Sequence, residues 1–213
     1  MNLDTGSADV WFRGKNCKDP SGSSGCFGKA ISLNDPSIKR FNTPPITANY
    51  GSGQVVLDLF QAPISIVGEA ASKFDRKVAT VPFGVASSVK GVLPGDGLLG
   101  MAFNGISAIS PAIGASANFF DSLKLPKAEQ VFAFYLNNLE DKDVGEVDLG
   151  GIDKSKFTGE IHYFDVIKTP GEDDFTTWNF DLAGWTVSVR GVKRVVNAPV
   201  AAGPADYALA DTV

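Results

Sequence analysis

Short apolar runs separated by glycine, proline and polar turn residues recur along the chain, and this pattern limits the fold more than any other feature. Strand-like runs lie at Phe60–Val67, Ala79–Ala86 and Val131–Leu136, and the last is expected to be a buried strand. With 23 glycines and 12 prolines in 213 residues, tight turns are frequent. The sequence therefore predicts a mostly β chain, with one short helix from Asn118 to Lys124 that ends before Pro126.

Composition excludes two classes of partner. The net charge of −5 leaves no basic field that would neutralise phosphates, so a nucleic-acid partner is not expected. No apolar run approaches the length of about 20 residues that a membrane-spanning helix needs. Hydrophobic residues at 44% and charged residues at 20% are ordinary for a globular protein of one or two domains.

An acidic residue near the start of the chain is surrounded by potential hydrogen-bond donors. Leu3 leads into Asp4, and Thr5, Gly6 and Ser7 follow it. The glycine permits a sharp turn that leaves its N–H open toward the acid, and the hydroxyls can donate as well. Such hydrogen bonds favour the ionised carboxylate. The alternative is an ordinary turn at a strand end, in which the aspartate bonds only its own backbone.

A second segment, residues 47–58, places Tyr50, Gly51, Ser52 and Gly53 between two strand-like stretches. This order predicts a β-hairpin with its tip at the glycines. A nucleotide-binding loop is excluded because neither a third glycine nor a lysine follows and no helical pattern begins. A plain surface hairpin remains open.

The longer string around the acid resembles a catalytic motif. Leu3–Trp11 is similar to the pattern hydrophobic-Asp-Thr-Gly-Ser-x-x-hydrophobic-Trp, the first motif of the pepsin-like aspartic proteases. Four further segments resemble the same family in the same order, namely 47–58, 96–103, 145–163 and 178–187. The chain is identified as a member of this family, of fungal type. The resemblance implies an all-β, bilobal, pepsin-like fold.

The end of the chain carries a second acid. An apolar approach leads into Asp211 and Thr212, which resembles the start of the family's second catalytic motif, with Val213 at the position of its glycine. The resemblance implies that Asp4 and Asp211 form the catalytic pair around one water. Two acids are needed because one carboxylate cannot both deprotonate the water and protonate the amide. The family's reaction uses no cofactor and no metal.

The resemblance also assigns substrate-binding residues. Thr5, Gly6 and Ser7 belong to the catalytic turn, the hairpin residues Tyr50, Gly51 and Ser52 cover the substrate, Trp11 backs the tyrosine, and Leu98 lines the cleft. His162 is the one histidine of the chain, which excludes a cluster of histidines around a metal. A Ser/His/Asp triad would have to use His162, which we assign a structural role within a strand.

Two cysteines, Cys17 and Cys26, flank a short loop rich in glycine, serine and proline. Such a loop can bring two Cα atoms within disulfide reach, so a disulfide is favoured over two free thiols. A small disulfide loop after the first motif is also what the family resemblance implies. An oxidising compartment follows, and the family resemblance implies a secreted, extracellular or vacuolar protein. The chain shows no signal peptide.

The family comparison divides the chain into an N-terminal lobe, residues 1–158, and a partial C-terminal lobe, residues 159–213. Family members carry strands before the first motif and much of a second lobe after the second, so the sequence predicts truncation at both ends. The predicted function is that of a monomeric aspartic endopeptidase acting on peptides or proteins. Three alternatives stay open: an inactive peptide- or protein-binding chain, a homodimer that pairs two copies of Asp4, and an incomplete product of a longer gene.

Overall fold

A computed structural model describes residues 1–20, 26, 28–66, 78–91, 96–137, 145–182, 184–189, 192–197 and 207–209. Within these residues the chain forms strands and two short α-helices. The strands are β1 Asn2–Asp4, β2 Val10–Lys18, β3 Lys39–Arg40, β4 Ile46–Tyr50, β5 Gly53–Ser65, β6 Val78–Gly91, β7 Gly97–Gly100, β8 Phe132–Tyr135, β9 Glu146–Leu149, β10 Asn179–Asp181, β11 Gly184–Val189, β12 Val192–Asn197 and β13 Tyr207–Leu209. The helices are α1 Ile109–Ile113 and α2 Phe119–Leu123. The all-β prediction is confirmed.

Seven strands form one mixed sheet that carries the functional residues. Its order is β1-β7-β2-β6-β5-β3, with β4 paired to β5. Strand β1 runs parallel to β7, which is antiparallel to β2, and β2 runs parallel to β6. The long antiparallel pair β5 and β6 extends the sheet on the other side. This arrangement inserts β7 between the two strands that flank the Asp4 turn.

Alternating side chains place hydrophobic clusters on the two faces of this sheet. Val10 and Leu99 belong to one buried cluster, whereas the neighbouring Trp11 and Leu98 belong to the other. Because successive side chains of a strand point to opposite faces, the two clusters lie on opposite sides of the sheet. Helix α2 contributes Phe119 to the first cluster and α1 contributes Ile109 to the second.

The predicted hairpin at residues 47–58 is formed. Strand β4 pairs with β5 in antiparallel register, with Tyr50 opposite Gly53 and a two-residue turn at Gly51 and Ser52. The backbone of the turn is exposed, and a Cβ added to Gly51 would meet no atom within 4 Å. Gly51 is therefore open to solvent, whereas Ser52 and Gly53 lie against Gly91 at the end of β6.

The predicted helix at 118–124 is also formed, because the Asn118 side chain caps it. Asn118 Oδ1 accepts hydrogen bonds from the N–H groups of Phe120 at 2.8 Å and Asp121 at 3.3 Å. Lys124 ends the helix in the left-handed conformation, with φ 48°. Helix α1 was not predicted from the sequence.

Two strand expectations need correction. Residues 157–166 form no strand in the described part of the chain, and His162 is exposed there. The strand predicted from the apolar alternation around Ile161 is therefore wrong, because this segment forms no backbone ladder with any strand in the described residues. Strand β8 is formed within Val131–Leu136, but its residues are half-buried or exposed rather than fully buried, since it pairs with β9 in a two-stranded sheet.

Aromatic side chains join the later segments to the first sheet. The ring of Trp178 lies 4.4 Å from that of Phe103 and 5.2 Å from that of Phe132, centroid to centroid. Trp178 Nε1 donates to the carbonyl of Met101 at 3.0 Å. Met101 and Phe103, which follow β7 next to the Asp4 turn, are thus contacted by Trp178 from the later part of the chain. None of the helices in the described residues is long and apolar enough to traverse a membrane.

Candidate active site

The site is built on the turn that joins β1 to β2. Strand β1 ends at Asp4, and the turn returns the chain into β2 at Val10. Three backbone hydrogen bonds clamp the turn to the end of β7: Met101 N donates to Asp4 O at 2.7 Å, Gly100 N to Asp9 O at 2.9 Å, and Ala102 N to Ser7 O at 2.8 Å. The backbone of the turn is therefore fixed against the end of β7.

Within this turn the carboxylate of Asp4 is held by its own neighbours. Gly6 N donates to Oδ1 at 2.9 Å, and Ser7 Oγ donates to Oδ2 at 2.5 Å. Asp4 is only 5% exposed, so these bonds replace water that the carboxylate loses on burial. The donors predicted from the sequence, the glycine N–H and the serine hydroxyl, thus lie where the negative charge needs them.

The close approach of β7 depends on Gly100. A Cβ at this position would lie 2.4 Å from the carbonyl carbon of Ala8 and 2.5 Å from the nitrogen of Asp9. Both are backbone atoms of the turn, so no side-chain movement can relieve the overlap. The glycine is required for the strand to lie directly behind the acid.

A cavity of about 440 Å³ opens between the Asp4 turn and the hairpin tip. Six of the predicted substrate-binding residues line it, together with Asp4: Gly6, Ser7, Tyr50, Gly51, Ser52 and Leu98. Thr5 and Trp11 are buried, at 5% and 0% exposure, and among the described residues they do not line the cavity. The remaining lining residues are Ala8, Asp9, Ala48, Asn49, Ile106 and Ala108.

Tyr50 lies at the boundary between this cavity and the core. It packs against the buried cluster that contains Trp11. Burial raises the pKa of the Tyr50 phenol above its usual value, and the negative charges of Asp9 and Asp4 raise it further. Ionisation of Tyr50 is therefore disfavoured, and at acidic and neutral pH its O–H is available as a donor.

Asp9 is a lining residue that the sequence reasoning missed. It is 4% exposed, and its carboxylate accepts hydrogen bonds from Ser107 Oγ at 2.5 Å and from the N–H groups of Ala108 at 2.8 Å and Ile109 at 3.4 Å. Burial raises the pKa of Asp9, although these hydrogen bonds oppose the change. The signal in the sequence was a charged residue next to Val10 in a strand that reads as buried.

The remaining predicted residues have different outcomes. Asp211 lies outside the described residues, so the structure does not report its distance from Asp4. Cys17 and Cys26 form the predicted disulfide, with Cα atoms 5.7 Å apart. Among the described residues, no group of three or more histidine, cysteine, aspartate or glutamate side chains is arranged to hold a metal ion.

Comparison of the sequence with known proteins identifies related families and proteins. The sequence model described as eukaryotic aspartyl protease matches residues 1–205. Penicillopepsin-1 of Talaromyces stipitatus is 30% identical over 185 residues, which cover 86% of this chain and 44% of that protein. Aspergillopepsin-1 of Aspergillus pseudoglaucus is 28% identical over 188 residues, covering 88% of this chain and 44% of that protein.

A third relative gives the same picture. Penicillopepsin-3 of Penicillium janthinellum is 30% identical over 192 residues, with 88% of this chain and 43% of that protein covered. The chain thus spans less than half the length of these curated relatives, while the relatives match most of the chain.

Proposed function

Because the chain belongs to the eukaryotic aspartyl protease family, we propose that it carries an aspartic-type endopeptidase site in which Asp4 and Asp211 act on one water. The observation that carries the proposal is the position of Asp4. Its carboxylate lines the cavity under the hairpin tip while Gly6 N and Ser7 Oγ hold both oxygens. Asp211 enters the proposal through the sequence resemblance.

The chemistry needs the two carboxyl groups in different protonation states. The ionised carboxylate removes a proton from the water, and the water oxygen forms a bond to the carbonyl carbon of the peptide. The protonated carboxyl group gives its proton to the carbonyl oxygen, which produces a tetrahedral diol. Collapse of the diol breaks the C–N bond: the first carboxyl group gives the proton that it took from the water to the nitrogen, and one diol hydroxyl returns a proton to the second carboxylate. No covalent enzyme intermediate forms. Two acids close enough to share one proton divide their titration in this way.

The hairpin supplies the cover of the site. Gly51 and Ser52 at its tip and the neutral phenol of Tyr50 face the space above Asp4, where a peptide backbone would lie. Trp11 would support Tyr50 from the core. Thr5 would brace the catalytic turn, in keeping with its burial. The apolar Leu98 would contact a substrate side chain.

We also propose the lobe division and the setting of the chain. All seven strands of the mixed sheet lie before residue 101, which supports an N-terminal lobe over 1–158 and a C-terminal lobe from 159. The Cys17–Cys26 disulfide supports an oxidising, extracellular or vacuolar location. We propose that the chain is a monomer, and sedimentation would distinguish it from a dimer that pairs two copies of Asp4.

Cleavage of acid-denatured globin by the purified chain, with and without a statine-type transition-state mimic, tests the function. The wild type should give inhibitor-sensitive cleavage at acidic pH. Asp4→Asn and Asp211→Asn should each lower the rate by about 10²–10⁴-fold. Asp181→Asn, a change of an exposed acid on β10, should leave the rate unchanged.

Two results would overturn the proposal. If the wild type binds the mimic without cleaving globin, and Asp4→Asn binds it equally well, the chain is a peptide-binding protein on the same scaffold. If cleavage persists in Asp4→Asn, another group performs the reaction.

A further inference from the structure

Asp9 has no part in the proposed hydrolysis, yet its carboxylate is almost completely buried beside the catalytic turn. Every hydrogen bond given above for its side chain comes from the segment Ser107–Ile109. Asp9 and this segment are 98 to 100 positions apart. The contact therefore joins the catalytic turn to a distant stretch of the cleft wall.

The bonds also complete the start of α1, whose first N–H groups have no partner within the helix. Asp9 accepts from the N–H groups of Ala108 and Ile109, and Ser107 Oγ accepts from Ser110 N at 2.9 Å. The Ala108 side chain offers no cap of its own. The start of α1 is thus capped jointly by the local residue Ser107 and by Asp9 from the Asp4 turn.

Ser110 extends the same network to both ends of the segment. Its hydroxyl donates to Asn104 Oδ1 at 2.6 Å and accepts from Ala117 N at 2.8 Å. Asn104, which is half-buried, is therefore linked through polar atoms to the buried residues Ser107 and Ala117. Because a buried polar network is costly when one member is removed, loss of Asp9 should loosen the whole segment.

The segment so anchored presents Ile106 to the cavity. Ile106 is 45% exposed, and within the described residues it belongs to neither of the two core clusters. Its N–H makes a 3.3 Å bond to Phe103 O, and Phe103 N is bonded to Thr176 O at 3.1 Å. On the downstream side Ser107 N donates to Asn104 O at 3.0 Å, and Asp9 holds the Ser107 side chain and the N–H groups that follow it.

We propose that Asp9 is a positioning residue that fixes Ile106 as an apolar wall of the cleft, and that it thereby selects an apolar side chain in the substrate residue that packs there. The inference rests on the proposed function, since it requires a peptide in the cavity. Loss of Asp9 frees Ile106 from that position. The loss of selectivity would come from weaker binding of the apolar side chain, with little change in the chemical step.

Two statine-type peptides that differ in one side chain, leucine or alanine, at the residue facing Ile106 test the proposal. The position that faces Ile106 is found with a panel of leucine/alanine peptide pairs, each pair varied at a different peptide position. It is the position at which Ile106→Ala abolishes the preference for leucine over alanine. In the wild type the leucine peptide should bind about tenfold more tightly, as expected for a few partly buried carbons. In Asp9→Asn, Ser107→Ala and Ile106→Ala the ratio should fall below about threefold. The control Asp181→Asn should retain the full ratio.

Hydrogen exchange separates positioning from a general structural role. The amides of Ala108 and Ile109 should exchange about tenfold faster or more in Asp9→Asn and in Ser107→Ala, while amides of β5 and β6 stay protected. Ile106→Ala should lose selectivity without this change in exchange. If Asp9→Asn fails to fold, Ser107→Ala, which removes one donor, provides the same comparison.

The outcomes distinguish the inference from the proposed function. Peptide binding with the predicted ratios but without cleavage of globin overturns the endopeptidase proposal and supports the role of Asp9. Cleavage with a ratio that is unchanged in Asp9→Asn and Ser107→Ala overturns the role of Asp9 alone. A wild type that binds neither peptide, or a panel in which Ile106→Ala changes no preference, overturns the inference as well.

Discussion

Gly100 lies so close to Ala8 that a Cβ on the glycine would approach the alanine carbonyl carbon to 2.4 Å. We therefore expect Gly100→Ala to push β7 away from the Asp4 turn, because the opposing atoms are backbone. The free energy of unfolding should fall by about 1–3 kcal/mol, as for other overpacked sites. Binding of the statine-type mimic should weaken in parallel. Chemical denaturation and calorimetry would measure the two effects.

Gly51→Ala is the matched control for this change. It makes the same substitution at the hairpin tip, where an added Cβ meets no atom within 4 Å. Its unfolding free energy should stay within about 0.5 kcal/mol of the wild type. Equal destabilisation by the two variants would show that the loss of glycine, and not the contact with Ala8, is responsible.

Stability should depend on pH through Asp9. Its pKa in the folded protein is raised above the ordinary value of 3.8 by burial, so the folded state holds the proton more tightly than the unfolded state. The stability contributed in this way is complete below pH 3.8 and is lost as pH rises through the higher folded pKa. Relative to Asp9→Asn, the wild type should lose up to about 1.4 kcal/mol per pH unit in that window.

Ser107→Ala sharpens the test of this pH dependence. The Ser107 hydroxyl lowers the pKa of Asp9 by donating to its ionised form, so its removal should move the end of the window to higher pH. Urea denaturation at a series of pH values would show the shift. If the wild type instead gains stability relative to Asp9→Asn as pH rises, hydrogen bonding outweighs burial at this carboxylate, and a difference that stays flat would mean that the two effects cancel.

Much of the fold was readable because local patterns and tertiary structure agree. The alternation in β5 and β6, the glycines of the hairpin and the turn residues after Asp4 each specify a conformation within a few residues. The same holds for α2, whose capping residue Asn118 precedes it directly. Helix α1 was missed because its start is completed by Asp9, a residue far away in sequence.

In the candidate site too, contacts between sequence neighbours were predictable and contacts between distant segments were not. The donors to Asp4 were predictable, since Gly6 and Ser7 are its sequence neighbours. The contacts of Asp9 were not predictable, because they arise where the segment 104–110 returns to the Asp4 turn. Trp11 is completely buried, in the cluster against which Tyr50 packs. Periodicity shows that a residue is buried, but it does not show which cavity lies beside it.

The Cys17–Cys26 disulfide should stabilise the chain by closing a short loop. With a sequence separation of 9, the chain-entropy relation gives about 2–3 kcal/mol. Reductant should therefore lower the free energy of unfolding by about this amount. The double variant Cys17→Ser/Cys26→Ser should start from the lower value and be insensitive to reductant. A wild type that reductant leaves unchanged, with free thiols verified by labelling, would contradict the prediction.

Asn118 should contribute more to stability than its place in a five-residue helix implies. Besides capping α2, its Nδ2 donates to the carbonyl of Ala102 at 2.6 Å, and Ala102 is one of the three residues that clamp the Asp4 turn. Asn118→Ala removes the cap and leaves that buried carbonyl short of a partner, so unfolding should become easier by about 2–3 kcal/mol. Asn118→Asp keeps the cap but loses the donor, and should cost about half as much.

Asn16→Ala, at an exposed position of β2, should change the unfolding free energy by less than about 0.5 kcal/mol. Equal effects of the alanine and aspartate variants would assign the whole contribution to the Ala102 contact, and an aspartate variant as stable as the wild type would assign it to the cap.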